Sequence, residues 1–246
     1  MCTICGDPQH APALSRRAFL TAGAAAALAS SGIGTALAAD PPKPGAAPPP
    51  NAIPPADALK RLLDGNARYV ANTLRERDYS AGRAARVQAQ YPIAAILSCA
   101  DSRVAPELAF DEGPGELFVV RVAGNFMTQD LLASLEYGVQ ILGVPLIMVL
   151  GHTKCGAVDA AIKVLKTNAA LPGHLPELVA AIKPAVIVAE RTQKGDLLEN
   201  AIAENVRRQV ARLKTAPPVV QKFYAGKKID IVGGVYDLAT GKVALV

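Results

Sequence analysis

Four short apolar runs, separated by helical patterns, constrain the fold of this chain most strongly. The runs occupy residues 93–98, 117–122, 146–150 and 229–233. Continuous apolar runs are typical of strands buried on both faces, and helices between them are typical of parallel strand connections. Residues 236–243 have the pattern of a hairpin that leads into a last strand. The sequence therefore predicts an α/β fold, with a mostly parallel four-stranded sheet, a C-terminal edge strand and helices on both faces.

The first 55 residues lack the pattern of a folded domain. Residues 15–20 read S-R-R-A-F-L, which matches the twin-arginine (Tat) export signal, and residues 36–38 read A-L-A, a typical signal-peptidase site. We therefore expect residues 1–38 to be a Tat signal peptide and the mature chain to begin at Ala39. Eight prolines between residues 40 and 55 predict an extended linker over 39–55, because proline disfavours helices and sheet ladders. The folded domain is then 56–246.

The weakly apolar stretch at 21–37 has an alternative interpretation as a membrane anchor. It is barely long enough to span a bilayer, and its Gly, Ser and Thr residues lower its hydrophobicity. We expect a periplasmic or secreted protein with no stable membrane anchor after cleavage. Cys2 and Cys5 form a C-x-x-C pair with His10 nearby, but cleavage would remove this candidate metal or redox site.

Composition excludes two further classes of protein. The formal net charge is +5 and the basic residues are dispersed along the chain, so the dense basic patch of a nucleic-acid-binding protein is missing. Four cysteines in 246 residues are too few for a disulfide scaffold.

Chemically active side chains follow the first and third predicted strands. Cys99, Asp101 and Arg103 alternate after the first strand, so they would share one side of the chain if it stayed extended. His152 and Cys155 follow the third strand. Ligands gather at the carboxyl ends of parallel strands, and two thiolates with one imidazole favour zinc. Three protein ligands with a fourth position open are typical of catalytic zinc.

Other interpretations of these residues remain open at this point. Cys99 and Cys155 could form a disulfide in an oxidising compartment. This alternative leaves His152, Asp101 and Arg103 without a role. Asp101 and Arg103 could form a purely structural ion pair.

Taken together, these motifs resemble the beta class of carbonic anhydrases. The resemblance includes C-x-D-x-R at 99–103 and H-x-x-C-G at 152–156. It extends through F-V-V-R-V-A-G-N at 118–125, S-L-E-Y at 134–137 and G-G-V-Y-D at 233–237, and covers roughly residues 56–246.

The resemblance implies one Zn²⁺ per subunit, held by Cys99, His152 and Cys155. The fourth ligand is water in an open form, in which Asp101 pairs with Arg103, or Asp101 itself in a closed form. Some closed members bind regulatory bicarbonate with a Trp three residues before the first Cys. This chain has Ile96 there, which predicts the open form, although Arg121 and Tyr236 stand where other members of that bicarbonate site would be. The implied substrate-lining residues are Gln90, Phe118, Ala123 and Tyr137, with a roomier lining at Ala123 because the family has Val or a similar residue there.

The implied function is the reversible hydration of carbon dioxide to bicarbonate and a proton. Zinc lowers the pKa of bound water to about 7, and the hydroxide formed attacks carbon dioxide while Asp101, kept ionised by Arg103, orients it. The resemblance also implies a homodimer or homotetramer. Hydrolysis of carbonyl sulfide or carbon disulfide on the same scaffold is one alternative. A non-catalytic zinc or anion-binding protein is another.

Overall fold

The structure is a computed structural model that describes residues 47–191 and 195–246. The predicted signal peptide, its C-x-x-C pair and residues 39–46 of the predicted linker lie outside the described residues, so their assignments stay predictions. Within the described part of the chain, no helix combines the length and the apolar character needed to cross a membrane.

One five-stranded sheet forms the centre of the fold. Its strands are β1 (Ala94–Ser98), β2 (Leu117–Arg121), β3 (Leu146–His152), β4 (Asp230–Tyr236) and β5 (Val243–Leu245). They lie in the order β2-β1-β3-β4-β5; the first four pair in parallel, and β5 pairs antiparallel to β4. This confirms the predicted sheet and its C-terminal edge strand.

Helices cover both faces of the sheet. Ala95 and Leu97 of β1 lie in a hydrophobic cluster with the helices at 129–140, 197–214 and 219–225, whereas Ala94 and Ile96 lie in a cluster with the helix at 55–70. Successive residues of a strand point to opposite faces, so β1 is buried on both sides, which explains its continuous apolar sequence. The helices among the described residues are α1 (Pro55–Val70), α2 (Arg83–Gln88), α3 (Pro106–Ala109), α4 (Gln129–Gln140), α5 (Gly156–Thr167), α6 (Leu175–Arg191), α7 (Leu197–Lys214) and α8 (Val219–Ala225).

Three details differ from the sequence pattern. The short helix α3 was not predicted, and β4 continues past the expected end at residue 233. Gly233 and Gly234 resemble a strand end in sequence, but here they allow close packing. A Cβ atom on Gly233 would lie 2.6 Å from the Val206 side chain, and one on Gly234 would lie 2.9 Å from the Val243 side chain. Asn51, within the predicted linker, is buried and donates to the carbonyl oxygens of Pro92 and Leu142.

A buried carboxylate ties the end of α1 to the turn after α3. The Asp111 side chain is fully buried and pairs with Arg68, Arg75 and Arg77. Burial by itself would raise the pKa of Asp111, but the hydrogen bonds from Arg68 and Arg77 outweigh it and hold the pKa below the usual 3.8. The ionised carboxylate therefore contributes to stability.

We expect Asp111→Asn to lower the free energy of unfolding by about 2–4 kcal/mol, because three arginines lose the buried charge that they share. Asn tolerates the positive φ of 48° at this position, so the loss comes from charge. Since the folded-state pKa is depressed, the difference from wild type should be complete above pH 3.8 and shrink as the pH falls below it. Urea unfolding measures it.

Asp64→Asn is the matched control, because Asp64 pairs with Lys60 on the exposed face of α1. Its effect should stay below about 0.5 kcal/mol. Equal losses in the two variants would show that the buried cluster has no special role in stability.

Candidate metal centre

The pairing of β1 with β3 brings two chain segments to the same edge of the sheet. Ser98, the last residue of β1, lies beside Leu150 of β3, so Cys99 and His152 leave the sheet as neighbours. Cys155 follows one turn later, directly before α5. The ligand atoms of Cys99, His152 and Cys155 all lie within 4.8 Å of one another, and all three residues are buried. The convergence predicted from the strand ends is present.

The donor set fits a soft divalent metal such as zinc. The His152 imidazole bonds through Nδ1 to the Thr153 carbonyl oxygen at 2.9 Å, which leaves the lone pair on Nε2. This nitrogen is buried and has no hydrogen-bond partner. Cys99 and Cys155 are free thiols rather than a disulfide. An orphaned imidazole nitrogen beside two free thiols is the environment expected where a cation joins all three atoms.

The two neighbouring thiols shift each other's pKa in opposite directions. The Cys155 thiol stabilises the Cys99 thiolate and so lowers the pKa of Cys99, whereas the Cys99 sulfur and burial raise the pKa of Cys155. Burial alone would lower the pKa of His152, but the adjacent Cys99 thiolate raises it above the usual 6.5. Metal binding would release protons from this group, because thiolates and a neutral imidazole are the forms that bind a metal.

Asp101 and Arg103 meet through a turn. Extended backbone, as assumed from the alternating sequence, is not what pairs them, because β1 ends at Ser98 and the Val104 N–H donates to the Asp101 carbonyl oxygen. The guanidinium donates to both carboxylate oxygens, with Nε–Oδ1 at 2.9 Å and Nη2–Oδ2 at 2.7 Å. These bonds hold the pKa of Asp101 well below its usual range.

The Asp101 carboxylate faces the metal-ligand group without joining it. Its Oδ2 lies 3.7 Å from His152 Nε2, and Arg103 holds both of its oxygens. This pairing is the one that the open form would require, and the open form of the metal-bound protein stays a prediction.

The structure places the four predicted substrate-lining residues in three different surroundings. Ala123 adjoins Gly124, whose N–H contacts Cys99. Gln90 instead lines a cavity of about 480 Å³ between α2 and the 113–116 turn, and the described lining of that cavity contains no residue of the metal-ligand group. Phe118 and Tyr137 pack on each other, with ring centroids 6.3 Å apart, and Tyr137 is 46% exposed.

Arg121 contacts the loop that follows β1, residues 99–104, which we call the first metal-binding loop; residues 152–155 after β3 form the second. Its guanidinium donates to the carbonyl oxygens of Cys99, Asp101 and Val104 at 2.7–2.9 Å. The Tyr236 hydroxyl bonds to that of Tyr69 at 3.1 Å, and burial with this bond raises its pKa to about 12. Both side chains therefore already have protein partners. The bracing role of Arg121 carries no sequence signal, because 22 residues separate it from Cys99.

The fold and these motifs were compared with known proteins. The carbonic anhydrase family model matches residues 94–243. The chain is 40% identical over 192 residues to the carbonic anhydrase of Mycolicibacterium smegmatis, covering 78% of this chain and 93% of that protein. It is 39% identical over 194 residues to carbonic anhydrase 2 of Mycobacterium tuberculosis, covering 78% and 92%.

Solved structures show the same similarity. The beta-carbonic anhydrase CcaA matches with a TM-score of 0.59 and 29% identity, over 76% of this chain and 94% of that one. A Coccomyxa beta-carbonic anhydrase in complex with acetazolamide matches with a TM-score of 0.61 and 28% identity, over 76% and 86%.

We expect Cys155→Ser to weaken zinc binding by more than about 100-fold, because a neutral hydroxyl replaces a soft thiolate ligand. Chelator competition on the purified protein measures the affinity. A full equivalent of tightly bound zinc in the variant would contradict the assignment of Cys155 as a ligand.

Proposed function

Because the chain belongs to the beta-class carbonic anhydrase family, we propose that its Cys99–His152–Cys155 group is the zinc site of a carbonic anhydrase. The enzyme converts carbon dioxide and water reversibly into bicarbonate and a proton. The observation that carries this proposal is the buried pair of thiols around an imidazole Nε2 that has no other partner, with an ionised carboxylate 3.7 Å away. The names of the relatives reported above favour carbon dioxide over its sulfur analogues as the substrate.

Each residue has a distinct task in this reaction. When bound, zinc supplies the Lewis acidity that makes water a nucleophile near neutral pH. Asp101 accepts a hydrogen bond from the nucleophile and so turns a lone pair toward the carbon of carbon dioxide. Arg103 keeps this carboxylate ionised and holds it in place through two hydrogen bonds.

The atoms balance without a further reactant. A water molecule loses one proton to buffer, and its oxygen forms a bond to carbon. One electron pair of a C=O double bond moves to its oxygen, which gives bicarbonate. Asp101 remains ionised throughout because its pKa lies well below the working range.

We propose that a second copy of the chain completes the substrate pocket. Support comes from Phe118, which lies on the edge strand β2, and from the exposed ring of Tyr137 beside it. Gln90 lines a cavity whose described lining contains none of Cys99, His152 and Cys155 of its own chain. In a homodimer or homotetramer, these residues would line the partner's site opposite Ala123, whose small side chain leaves room for substrate.

We propose that the protein is exported through the Tat pathway and works in the periplasm or outside the cell. The motif at residues 15–20 supports this. Tat export of an already folded chain would allow zinc to bind while both thiols are reduced, and a metal would then protect them from oxidation.

Export and assembly are checked together on protein recovered from the periplasm or medium. We expect the chain to begin at Ala39 and the native mass to equal two or four subunits. An intact N-terminus would contradict export with cleavage, and a monomeric mass would contradict the shared pocket.

We expect Asp101→Asn to keep zinc but to lower kcat for carbon dioxide hydration by about 100-fold or more. The reason is that a neutral amide accepts the hydrogen bond from the nucleophile less strongly than the carboxylate does. Stopped-flow hydration by the zinc-loaded protein at pH 7–9 measures it. Wild-type activity should show no titration of Asp101 in this range, since its pKa is depressed.

Asp159→Asn is the matched control, because Asp159 pairs with Lys163 on the surface of α5. Its kcat for carbon dioxide hydration should equal that of the wild type. Equal turnover in Asp101→Asn and wild type would remove Asp101 from the mechanism. Zinc-loaded wild-type protein without hydration activity would refute the proposed function, and hydrolysis of carbonyl sulfide by that protein would instead support the sulfur-substrate alternative.

A further inference from the structure

Two buried amide side chains on α7 lie behind the metal-binding loops. Asn205 is 1% exposed and Gln209 is fully buried. They are four residues apart, so they lie one above the other on the same face of the helix. A buried amide is costly unless it is hydrogen-bonded. The partners of these two side chains therefore indicate what the pair contributes.

Both amides bond to the loop that follows β2. Asn205 Nδ2 donates to the Gly124 carbonyl oxygen at 2.8 Å. Gln209 Oε1 accepts from the Met127 N–H at 3.2 Å, and its Nε2 reaches Asn205 Oδ1 at 3.4 Å. Arg212 also donates to Gln209 Oε1. The two amides form a hydrogen-bonded network that holds the backbone of residues 124–127 in place.

Gly124 connects this network to the metal centre. Its N–H donates to Cys99 Sγ at 3.2 Å, while its carbonyl oxygen is held by Asn205. Its φ of 84° suits glycine, and a Cβ would lie 2.5 Å from Ile182 of α6. Backbone conformation and close packing thus leave one orientation for the N–H.

We propose that Asn205, supported by Gln209, is a positioning residue for the metal centre, acting through the Gly124 N–H on the Cys99 sulfur. This inference rests on the proposed function, because it assigns Cys99 as a zinc ligand. A hydrogen bond to a thiolate takes up part of its negative charge and orients it. Without Asn205, the Gly124 carbonyl oxygen is buried without a partner, and the loop moves to satisfy it.

The test compares Asn205→Leu, which keeps the branched shape but loses the amide, with wild type. Outer-shell partners of metal ligands typically change metal affinity by about 10–100-fold, and we expect a loss of zinc affinity in that range by chelator competition. With Co²⁺ in place of zinc, we expect the thiolate-to-cobalt absorption band to shift. A purely structural role for Asn205 would leave this band unchanged.

Asn66→Leu is the matched control. Asn66 of α1 is also buried and donates to the carbonyl oxygens of Ala109 and Gly241, away from the metal-binding loops. It should lose stability but keep the wild-type zinc affinity and cobalt band. If Asn205→Leu behaves like Asn66→Leu in both readouts, the proposal is overturned.

Two further measurements cover variants that fail to fold. Asn205→Ala, whose smaller side chain leaves space for water, is judged by the same readouts.

In wild-type protein loaded with ¹¹³Cd²⁺, the Gly124 amide proton should show an NMR scalar coupling to cadmium through the Cys99 sulfur. The absence of this coupling would overturn the proposal. Wild-type protein that binds no zinc would refute the proposed function as well, whereas a normal wild type with an unaffected Asn205→Leu refutes this inference alone.

Discussion

The parallel pairing of β1 with β3 is the constraint on which the metal centre depends. It places the residue after Ser98 beside the residues after Leu150, so that a thiol from one strand end meets an imidazole and a second thiol from the other. A register shift of one residue would turn each side chain to the opposite face of the sheet. The two strands are buried along their whole length, so the close packing of each side chain against the helices on either face, rather than an alternation of polar and apolar residues, has to hold this register.

Around the Cys99–His152–Cys155 group, fixed hydrogen-bond donors and acceptors hold the functional atoms in place. The Gly124 N–H contacts the Cys99 sulfur, and the Thr153 carbonyl oxygen sets the His152 tautomer. Arg103 takes both oxygens of Asp101, and Arg121 donates to three carbonyl oxygens of the same loop. A preorganised site of this kind needs little rearrangement when charge develops during the reaction. The supporting groups come from β2, α7 and the loops between them, so the centre depends on the whole α/β body.

The structure departs from the sequence pattern at the Asp101–Arg103 pair and at the glycines of β4. The alternation of Cys99, Asp101 and Arg103 indicated an extended strand, yet a turn brings the last two together. An Asp side chain often accepts a hydrogen bond from the backbone N–H two residues further on, which forms a turn. A two-residue alternation in the sequence does not reveal such a bond. Gly233 and Gly234 of β4 resemble a strand end in sequence, but in the structure α7 packs closely on Gly233 and β5 on Gly234. This contact depends on where α7 and β5 lie, which the local sequence does not indicate.

The sequence by itself determined the α/β class, the parallel sheet, the candidate ligands and the family, because apolar periodicity and motif spacing are local properties of the chain. Only the tertiary structure decided that Asp101 faces the ligand group with both oxygens on Arg103, that Arg121 braces the loop, and that Asn205 reaches Gly124. These contacts join residues far apart in the chain: 81 positions separate Asn205 from Gly124. No local pattern encodes such a distance, because it is set by how α7 packs across the sheet.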